Sequence, residues 1–250
     1  MKAMILAAGE GTRLRPLTLD RPKPMLPVAG RPLLGYIIAW LRHHDVTRIA
    51  MNLHHRPQVV MDHFGSGAGF GVDITYSVEE EILGTAGGAK RLSPFLDETF
   101  VLVYGDVLTD FDLGALIDFH RSRPPAPHLS MGLYHVPNPW DCGIVGLDER
   151  GRILRFAEKP RREDVFSDLA STGVLVVDPE LLQYVPAGRF ADFGHDVLPA
   201  LLQSGVPLHG WIIPDSAYLL DVGSPERYAQ VQREWPTDAA RAFVPAGGGR

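Results

Sequence analysis

The first half of the chain alternates between apolar runs and segments with the apolar spacing of a helix. The run KAMILAA at 2–8 is apolar almost throughout, which is typical of a strand buried on both faces. In RPLLGYIIAWLRHH at 31–44, apolar residues recur three and four positions apart, and Pro32 stands where a helix would begin. The same reasoning predicts strands at 48–53, 72–77 and 99–106 and helices at 57–64 and 112–122. Strands that alternate with helices predict a doubly wound, mostly parallel sheet.

After about residue 124 the pattern changes and strands predominate. The predicted strands of this part lie at 128–136, 143–159, 171–178, 208–213 and 216–223. Within the second of them, DERG at 148–151 predicts a hairpin turn. The fold class is therefore predicted to be α/β, with a Rossmann-like mixed sheet in a single domain.

Two helices are predicted in the last quarter of the chain. One lies within 196–205 and is expected to be broken or kinked near Pro199. The other covers 224–235, with Ser224 as its cap and Pro225 just inside. The tail at 237–250 ends in PAGGGR and is expected to be partly disordered.

Composition and charge exclude several classes of protein. The net charge of −6 disfavours nucleic acid as a partner, and no apolar run approaches the ~20 residues that span a bilayer. Met1 leads directly into a predicted strand without the features of a signal peptide. Cys142 is the only cysteine, so no internal disulfide can form and no CxxC pair indicates zinc. We expect a soluble, cytoplasmic protein.

The loop after the first strand combines glycine, proline and positive charge. Five cationic residues lie between positions 9 and 31, against two acidic ones. Gly9 and Gly11 would let the backbone bend sharply and approach a ligand, and successive N–H groups in such a turn can surround an anion. A triphosphate fits this pattern. The dinucleotide motif GxGxxG is broken by Leu14, and no GK[ST] motif is present, which disfavours a redox Rossmann site and a P-loop.

The segment LAAGEGTRLRPLTLDRPKPMLPVAGRPLL resembles the signature of the sugar-1-phosphate nucleotidyltransferases, which reads G-x-G-T-R-x-x-P-L-T followed by P-K-P. The later segments that are similar to landmarks of this family are EEEILGTAGG (79–88), YGDVLTDFDL (104–113), FAEKP (156–160), STGVLVVDPE (171–180) and LLDVGSPERY (219–228). The resemblance implies the nucleotide-diphospho-sugar transferase fold over 1–236. It divides this domain into a nucleotide-binding half at 1–123 and a sugar-binding half at 124–236.

The resemblance also implies a reaction and the residues that perform it. A sugar-1-phosphate oxygen attacks the α-phosphorus of a nucleoside triphosphate (NTP), and pyrophosphate leaves, so the substrate supplies its own nucleophile. Arg13 would hold the β- and γ-phosphates, and Lys23 would reach the α-phosphate as the second catalytic residue. The remaining residues implied at the nucleotide are Ala8, Gly9, Gly11, Thr12, Glu79, Gly84 and Thr85.

Two aspartates follow predicted strands and are implied as ligands of Mg²⁺. Asp106 comes after FVLVYG and Asp221 after AYLL, and the carboxyl ends of strands are where open α/β sheets bind ligands. Carboxylates suit a hard ion that keeps waters and bridges phosphates. Aspartates that only close a turn or cap a helix are the alternative. Asp110 and Asp112 are interpreted in that second way.

The sugar side and the base are less specified. Gly143, Glu158, Lys159 and Ser171 are implied at the sugar phosphate, although many relatives have Asn where this chain has Ser171. Glu79 can only accept hydrogen bonds when ionised, which matches the adjacent N1–H and N2 donors of guanine. We therefore predict GTP and mannose-1-phosphate, or a related heptose or hexose, as the substrates. Glucose-1-phosphate thymidylyl- or uridylyltransferases and amino-sugar uridylyltransferases stay open as alternatives.

The chain looks closest to mannose-1-phosphate guanylyltransferases, but these 250 residues contain no hexapeptide repeats of the β-helix that many of them carry. A catalytically silent nucleotide-sugar sensor is a further alternative, and the presence of Arg13, Lys23, Asp106 and Asp221 favours an enzyme. A nicotinamide oxidoreductase is disfavoured by the broken glycine motif. The expected partners are an NTP and a sugar-1-phosphate, with no nucleic acid or membrane, and a homo-oligomer is an open possibility.

Overall fold

A computed structural model describes residues 1–124 and 126–235. The strands are β1 Lys2–Ala7, β2 Pro27–Val28, β3 Arg31–Pro32, β4 Arg48–Leu53, β5 Asp73–Val78, β6 Phe100–Tyr104, β7 Val107–Thr109, β8 Leu129–His135, β9 Gly143–Leu147, β10 Ile153–Glu158, β11 Leu169–Val177, β12 Leu208–Ile212 and β13 Leu219–Asp221. The α-helices are α1 Leu33–His43, α2 Pro57–Phe64, α3 Gly84–Arg91, α4 Leu113–Ser122, α5 Leu198–Gln203 and α6 Pro225–Glu234. The predicted disordered tail at 237–250 lies outside the described residues.

The described residues form two compact units. Among the described residues, the first unit combines 1–81 with 104–111 and 217–235, and the second combines 82–103 with 112–216. These units do not coincide with the predicted halves at 1–123 and 124–236. The difference arises because the segments with Asp106 and Asp221 belong with the N-terminal residues rather than with their neighbours in sequence.

The first unit is built on parallel strands with helical crossovers. β1 pairs with β4 from Lys2 opposite Arg48 to Ala7 opposite Leu53, and β4 pairs with β5 in the same parallel sense. All but the first residue of β4 are buried, as a strand covered on both faces requires. The two short strands β7 and β13 form a separate antiparallel ladder.

One apolar cluster lies inside the first unit and gathers residues from its distant segments. Trp235 packs edge-on to Tyr36 of α1, with ring centroids 5.4 Å apart. The other buried members are Leu14, Leu26, Val28, Leu33, Leu108, Leu220, Val222 and Val231. We call this set the anchor cluster. It joins the N-terminal loop, the β7–β13 ladder and α6 through burial of apolar surface.

The second unit is mainly antiparallel. β11 is its longest strand and pairs antiparallel with β6, β8 and, at Ala170, with β9. β9 and β10 form the predicted hairpin, in which the Asp148 carboxylate accepts hydrogen bonds from the backbone N–H groups of Arg150 and Arg152. β12 pairs parallel with β8. The α/β fold class with a mixed sheet is thereby confirmed.

The helices form where the sequence predicted them, with the exception of the glycine-rich α3. Ser224 Oγ accepts a hydrogen bond from Arg227 N and caps α6, as predicted. α5 begins at Leu198, so Pro199 lies in its first turn, where a missing N–H costs nothing, and a π-helical turn at Phe193–Val197 precedes it. α3 was not predicted, because three of the eight residues of GTAGGAKR are glycine, which disfavours a helix. Within the described ranges, the structure has no helix with the length and apolarity that a membrane span requires.

His120 is a buried titratable group in the second unit. Its side chain lies on α4, its Nδ1 atom is 3.0 Å from the Ser130 hydroxyl oxygen, and the residue is 5% exposed. Burial lowers the pKa of His120 to about 4; Asp178 opposes the shift, while His209 and Arg121 add to it. The folded protein therefore keeps this imidazole neutral at a pH where the unfolded chain takes up a proton.

We predict that His120 makes the protein sensitive to acid between pH 6.5 and about 4. In this window the unfolded state binds the additional proton, so the free energy of unfolding falls as the pH falls. In His120→Asn, urea unfolding at pH 7 and pH 5 should show a smaller loss of stability than in the wild type. The exposed His195→Asn is the control and should keep the wild-type dependence. An unchanged pH dependence in His120→Asn would contradict the assignment.

Candidate active site

The loop after β1 uses its two glycines for different reasons. Gly11 has a φ of 64°, and a Cβ there would lie 3.2 Å from both Lys23 Cβ and Thr18 Cγ2. The Thr18 hydroxyl donates to the Gly11 carbonyl oxygen at 2.8 Å and holds this bend. Gly9 does not have a positive φ, and a Cβ built on it meets no described atom within 4 Å. The prediction of positive φ after β1 therefore holds for Gly11, whereas Gly9 leaves open space.

Arg13 and Lys23 lie in two short 3-10 helices, Thr12–Leu14 and Lys23–Met25. Leu14 at the end of the first helix and Leu26 directly after the second are buried in the anchor cluster. Arg13 itself is exposed, whereas the Lys23 side chain is only 16% exposed. Apolar contacts of the leucines thus fix the backbone of the loop, while Arg13 faces outward and Lys23 faces Asp106.

Lys23 forms an ion pair with Asp106. Its Nζ atom donates a hydrogen bond to Asp106 Oδ2, and both side chains are largely buried. Asp106 is held at the end of β1, because Gly105 N donates to the Leu6 carbonyl oxygen at 2.9 Å. A Cβ at Gly105 would lie 2.7 Å from that oxygen, so glycine is needed for this approach.

Asp221 reaches the same place through the β7–β13 ladder. Asp221 pairs with Val107, and Val222 N donates to the Asp106 carbonyl oxygen at 2.9 Å. Both Asp221 carboxylate oxygens lie within 3.3 Å of the position that a Cβ of Gly223 would take, and the Arg13 guanidinium lies 3.5 Å from it. The structure therefore brings together Arg13, Lys23, Asp106 and Asp221, which are separated by more than 200 positions in the sequence.

The two carboxyl groups respond differently to this crowding. Burial opposes ionisation of Asp106, but the charge and hydrogen bond of the Lys23 ammonium, together with hydrogen bonds from the backbone and from Asp221, hold the pKa of that carboxyl below its usual value. Loss of water, followed by repulsion from Asp106, raises the pKa of Asp221 to about 6. Asp221 as a residue is exposed, so the shift reflects the position of its carboxyl oxygens beside Gly223 and Asp106. Two adjacent carboxylates with one close ammonium form a site that favours added positive charge.

The donor set fits Mg²⁺ when phosphate oxygens complete the coordination. Two carboxylates and no thiol or imidazole match a hard cation that keeps waters and bridges phosphates. In the part of the chain that the structure describes, no three or more His, Cys, Asp or Glu side chains lie together as a metal site. A metal held by Asp106 and Asp221 would therefore need ligands from the substrate or from water. Asp110 and Asp112 play the predicted structural roles. Asp110 accepts a hydrogen bond from Tyr218 N, and Asp112 caps α4.

Glu79 lies at the end of β5 and is 2% exposed. Its Oε1 atom accepts a hydrogen bond from Asn52 Nδ2 at 2.9 Å, while Asn52 Oδ1 accepts from Ala7 N at 3.0 Å. The Ala7 N–H can only donate, which fixes the orientation of the Asn52 amide. Sequence reasoning missed Asn52, because a polar residue inside the apolar run RIAMNL gives no sign of its partners.

Gly84 and Thr85 begin α3 and contact the segment at 191–193. Gly84 has a φ of 75°, and a Cβ there would lie 2.4 Å from the Ala191 carbonyl oxygen. The Thr85 hydroxyl donates to Asp192 Oδ2 and accepts from Phe193 N, both at 2.8 Å. Close packing against Ala191 thus accounts for the glycine at 84, and the Thr85 hydroxyl already makes two hydrogen bonds within the protein. A role at the nucleotide stays a prediction for both.

Three of the four residues predicted at the sugar phosphate lie on neighbouring strands of the second unit, and the fourth, Lys159, directly follows β10. Glu158 of β10 pairs with Gly143 of β9, and Ser171 of β11 follows Ala170, which pairs with Ile144 of β9. The Ser171 hydroxyl accepts a hydrogen bond from Gly173 N at 3.2 Å. This serine therefore supports a local bend of β11.

Lys159 adopts an unusual backbone conformation next to Glu158. Its φ is 46°, in the left-handed region that disfavours side chains, and its N–H donates to the Cys142 carbonyl oxygen at 3.0 Å. Its ammonium lies 3.6 Å from Glu158 Oε1. Strained residues of this kind cluster at functional sites, which agrees with the position predicted for Lys159.

Residues 2–237 match the model of the nucleotidyl transferase family. The chain belongs to this family. The family match thus extends from the first residue of β1 past the end of α6 and includes every residue of the candidate site.

Relatives within the nucleotidyl transferase family differ in base and sugar. The chain is 38% identical over 221 residues to a UTP–glucose-1-phosphate uridylyltransferase of Synechocystis sp., covering 84% of this chain. It is 36% identical over 246 residues to the mannose-1-phosphate guanylyltransferase of Mycobacterium tuberculosis, covering 98% of this chain. The chain spans 57% and 66% of the lengths of these two relatives.

A solved structure agrees with the fold over the full chain. A Bacillus anthracis protein, provisionally assigned as a glucose-1-phosphate thymidylyltransferase and crystallised with sucrose, superimposes with a TM-score of 0.83 at 25% identity. The match covers 100% of this chain and 98% of that one. The nucleotide-diphospho-sugar transferase fold is thereby confirmed.

We predict that Lys23 controls the ionisation of Asp106. In Lys23→Met the ammonium and its hydrogen bond are lost while burial of the carboxyl remains, so the pKa of Asp106 should rise. A carbon-13 NMR titration of the aspartate carboxyl groups measures this change. Arg21→Met is the control, because the Arg21 side chain is 42% exposed and pairs with Asp20 instead. An Asp106 carboxyl that titrates at the same pH in both variants would refute the role of the ion pair.

Proposed function

We propose that this protein is a Mg²⁺-dependent sugar-1-phosphate nucleotidyltransferase, which forms an NDP-sugar and pyrophosphate from an NTP and a sugar-1-phosphate. The observation that carries the proposal is the convergence of Arg13, Lys23, Asp106 and Asp221 in a chain of this family. A catalytically silent sensor would need only to bind its ligand, and the pairing of a buried lysine with a carboxylate beside a second carboxylate favours catalysis.

The reaction needs positioning and charge neutralisation rather than a protein nucleophile. Two polyanionic substrates must meet, and two unit charges ~4 Å apart interact by ~4 kcal/mol at an effective dielectric constant of ~20. The Arg13 guanidinium offers a planar fork to the β- and γ-phosphate oxygens. We expect the Lys23 ammonium to balance charge at the α-phosphate, with its partner Asp106 keeping it oriented.

Asp106 and Asp221 would hold the metal ion. Bound Mg²⁺ would neutralise phosphate charge and act as a Lewis acid toward a phosphoryl oxygen. The β7–β13 ladder keeps the two carboxylates close to each other. The Lys23 and Arg13 side chains lie beside these carboxylates, so protein cations and the ion would act on the same phosphate chain.

We infer GTP and mannose-1-phosphate as the favoured substrates. The guanylyltransferase of M. tuberculosis supports this choice, because it aligns with 98% of the chain. Glu79 supports it too, since a carboxylate can accept from both donors of the guanine edge. The uridylyltransferase of Synechocystis favours the second candidate, UTP with glucose-1-phosphate.

A matrix of substrates tests the proposal. The purified chain with Mg²⁺ would be assayed for pyrophosphate release with four NTPs against the 1-phosphates of mannose, glucose, a heptose and an amino sugar. Highest release with GTP and mannose-1-phosphate is expected. Release only with UTP would transfer the assignment to the second candidate. GDP-mannose binding without release from any pair would indicate a sensor.

Arg13→Ala and Asp106→Ala should each lower turnover by ~10²-fold or more. Each change removes a charge that we place on the phosphates or the metal, and loss of one such transition-state contact typically has this size. The measurement is kcat with saturating NTP and sugar-1-phosphate. Arg15→Ala is the control, because Arg15 is exposed and its ion pair with Glu10, at 3.9 Å, is long and weak. Turnover near the wild-type value would remove the substituted residue from the mechanism.

Gly9→Ala should weaken NTP use without weakening the fold. The new methyl group meets no protein atom within 4 Å, so thermal stability should stay at or above the wild-type value. It would occupy the space where we place the nucleotide, and KM for the NTP should rise about tenfold or more. Gly69→Ala is the control, since Gly69 also has open space around it but lies far along the chain from this loop. Equal KM values in both variants would show that no ligand approaches Gly9.

Glu79→Gln should reduce discrimination between bases. Glutamine can still accept a hydrogen bond from Asn52, so the buried contact survives while the charge is lost. One charge-assisted hydrogen bond is worth ~1.5 kcal/mol or more, so kcat/KM should fall about tenfold further for GTP than for UTP. Asn52→Leu breaks the contact and should affect all NTPs alike. An equal decrease for GTP and UTP in Glu79→Gln would show that Glu79 supports the fold rather than reading the base.

A further inference from the structure

Two glycines from distant parts of the second unit enclose the Glu158 carboxylate. A Cβ at Gly143 would lie 2.7 Å from Glu158 Oε2, and a Cβ at Gly194 would lie 2.8 Å from the same atom. Real side chains essentially never come this close, so both positions need glycine for Glu158 to stay where it is. Gly143 was predicted from the sequence, whereas Gly194 was not.

Gly194 is held in place by Asp192. The Asp192 Oδ1 atom accepts hydrogen bonds from Gly194 N at 2.8 Å and from His195 N at 3.2 Å. Asp192 thereby caps the π-helical turn at Phe193–Val197, a rare form of helix that is frequent at functional sites. The Asp192 N–H in turn donates to Asp196 Oδ2 at 2.7 Å, which closes the turn.

The other carboxylate oxygen of Asp192 connects this turn to α3. Oδ2 accepts the hydrogen bond from the Thr85 hydroxyl, and Thr85 Oγ1 accepts from Phe193 N, so the two segments exchange hydrogen bonds in both directions. The Ala191 carbonyl oxygen also accepts from Ala86 N and Gly87 N, both at 3.0 Å. The start of α3 therefore moves together with the turn.

We propose that Asp192 is a positioning residue for the sugar-1-phosphate. It acts through the Gly194 backbone, which fixes the Glu158 carboxylate, and it ties this carboxylate to the Gly84–Thr85 segment predicted at the nucleotide. The inference rests on the proposed function, because it takes Glu158 as the group that contacts the sugar phosphate or sugar hydroxyls. It goes further in assigning the link between the two substrates to one side chain that contacts neither.

A double-mutant cycle tests the first step of this link. Gly194→Ala should displace the Glu158 carboxylate and lower kcat/KM for the sugar-1-phosphate about tenfold, the size expected for loss of one hydrogen bond to a charged group. In a Glu158→Ala background there is no carboxylate to displace, so the same substitution should have no further effect. Equal effects of Gly194→Ala in both backgrounds would overturn the proposal. Gly69→Ala serves as the control for a glycine with open space.

Thermal unfolding of the same four proteins provides a readout that does not depend on activity. Gly194→Ala should be less favourable to the stability of the wild type than to that of Glu158→Ala, since the new methyl group would lie 2.8 Å from Glu158 Oε2 and the carboxylate would have to shift. If the wild type releases no pyrophosphate from any substrate pair, the proposed function fails. The unfolding measurements would still show whether Gly194 and Glu158 are coupled. If the wild type is active and neither cycle shows coupling, the positioning role fails alone.

Variants of the hydrogen bond between Thr85 and Asp192 test the second step. Asp192→Ala removes the carboxylate that accepts hydrogen bonds from Gly194 N, His195 N and the Thr85 hydroxyl. We expect KM for the sugar-1-phosphate to rise about tenfold while kcat changes little. Thr85→Val should repeat this result, and Thr85→Ser, which keeps the hydroxyl, should restore it. A change confined to KM for the NTP, or no rescue by serine, would overturn the link.

Discussion

The candidate site depends on the anchor cluster that lies beneath its charged residues. Arg13 is followed by Leu14, Lys23 is soon followed by Leu26, and Asp106 by Leu108, while Leu220 and Val222 flank Asp221. Burial of these apolar side chains stabilises the backbone segments that carry the charged residues. The fold can therefore hold two aspartates side by side, and a single ammonium, Lys23, pairs with one of them.

The backbone contributes as much to the site as the side chains do. Gly105 allows Asp106 to reach the end of β1, and Gly143 and Gly194 leave room for the Glu158 carboxylate. Asn52 connects the end of β1 to Glu79 through an amide whose orientation is fixed by a backbone donor. Such contacts define distances between reacting groups, and a reaction that depends on orienting two polyanions is sensitive to displacements of this size.

The sequence predicted most elements and the four charged residues, because apolar periodicity and a long glycine-rich signature are local signals. The division into units was not predictable in the same way. It depends on the β7–β13 ladder, in which three residues on each strand pair across a separation of more than 100 positions. α3 was missed because its glycines serve tertiary packing against Ala191 rather than helix formation. Asp192 and Gly194 were missed because DFG reads as an ordinary turn until its partners, Thr85 and Glu158, are known.

Lys159 shows where the protein departs from its own conformational optimum. A non-glycine residue at a φ of 46° is held there at a cost of ~1 kcal/mol or more, whereas glycine adopts that conformation freely. Selection for stability alone would place glycine at this position, in a chain that already uses glycine at many of its bends. The lysine marks a position at which the protein remains less stable than its backbone would permit, and a screen for thermostable variants would be drawn to this residue at the expense of the ammonium beside Glu158.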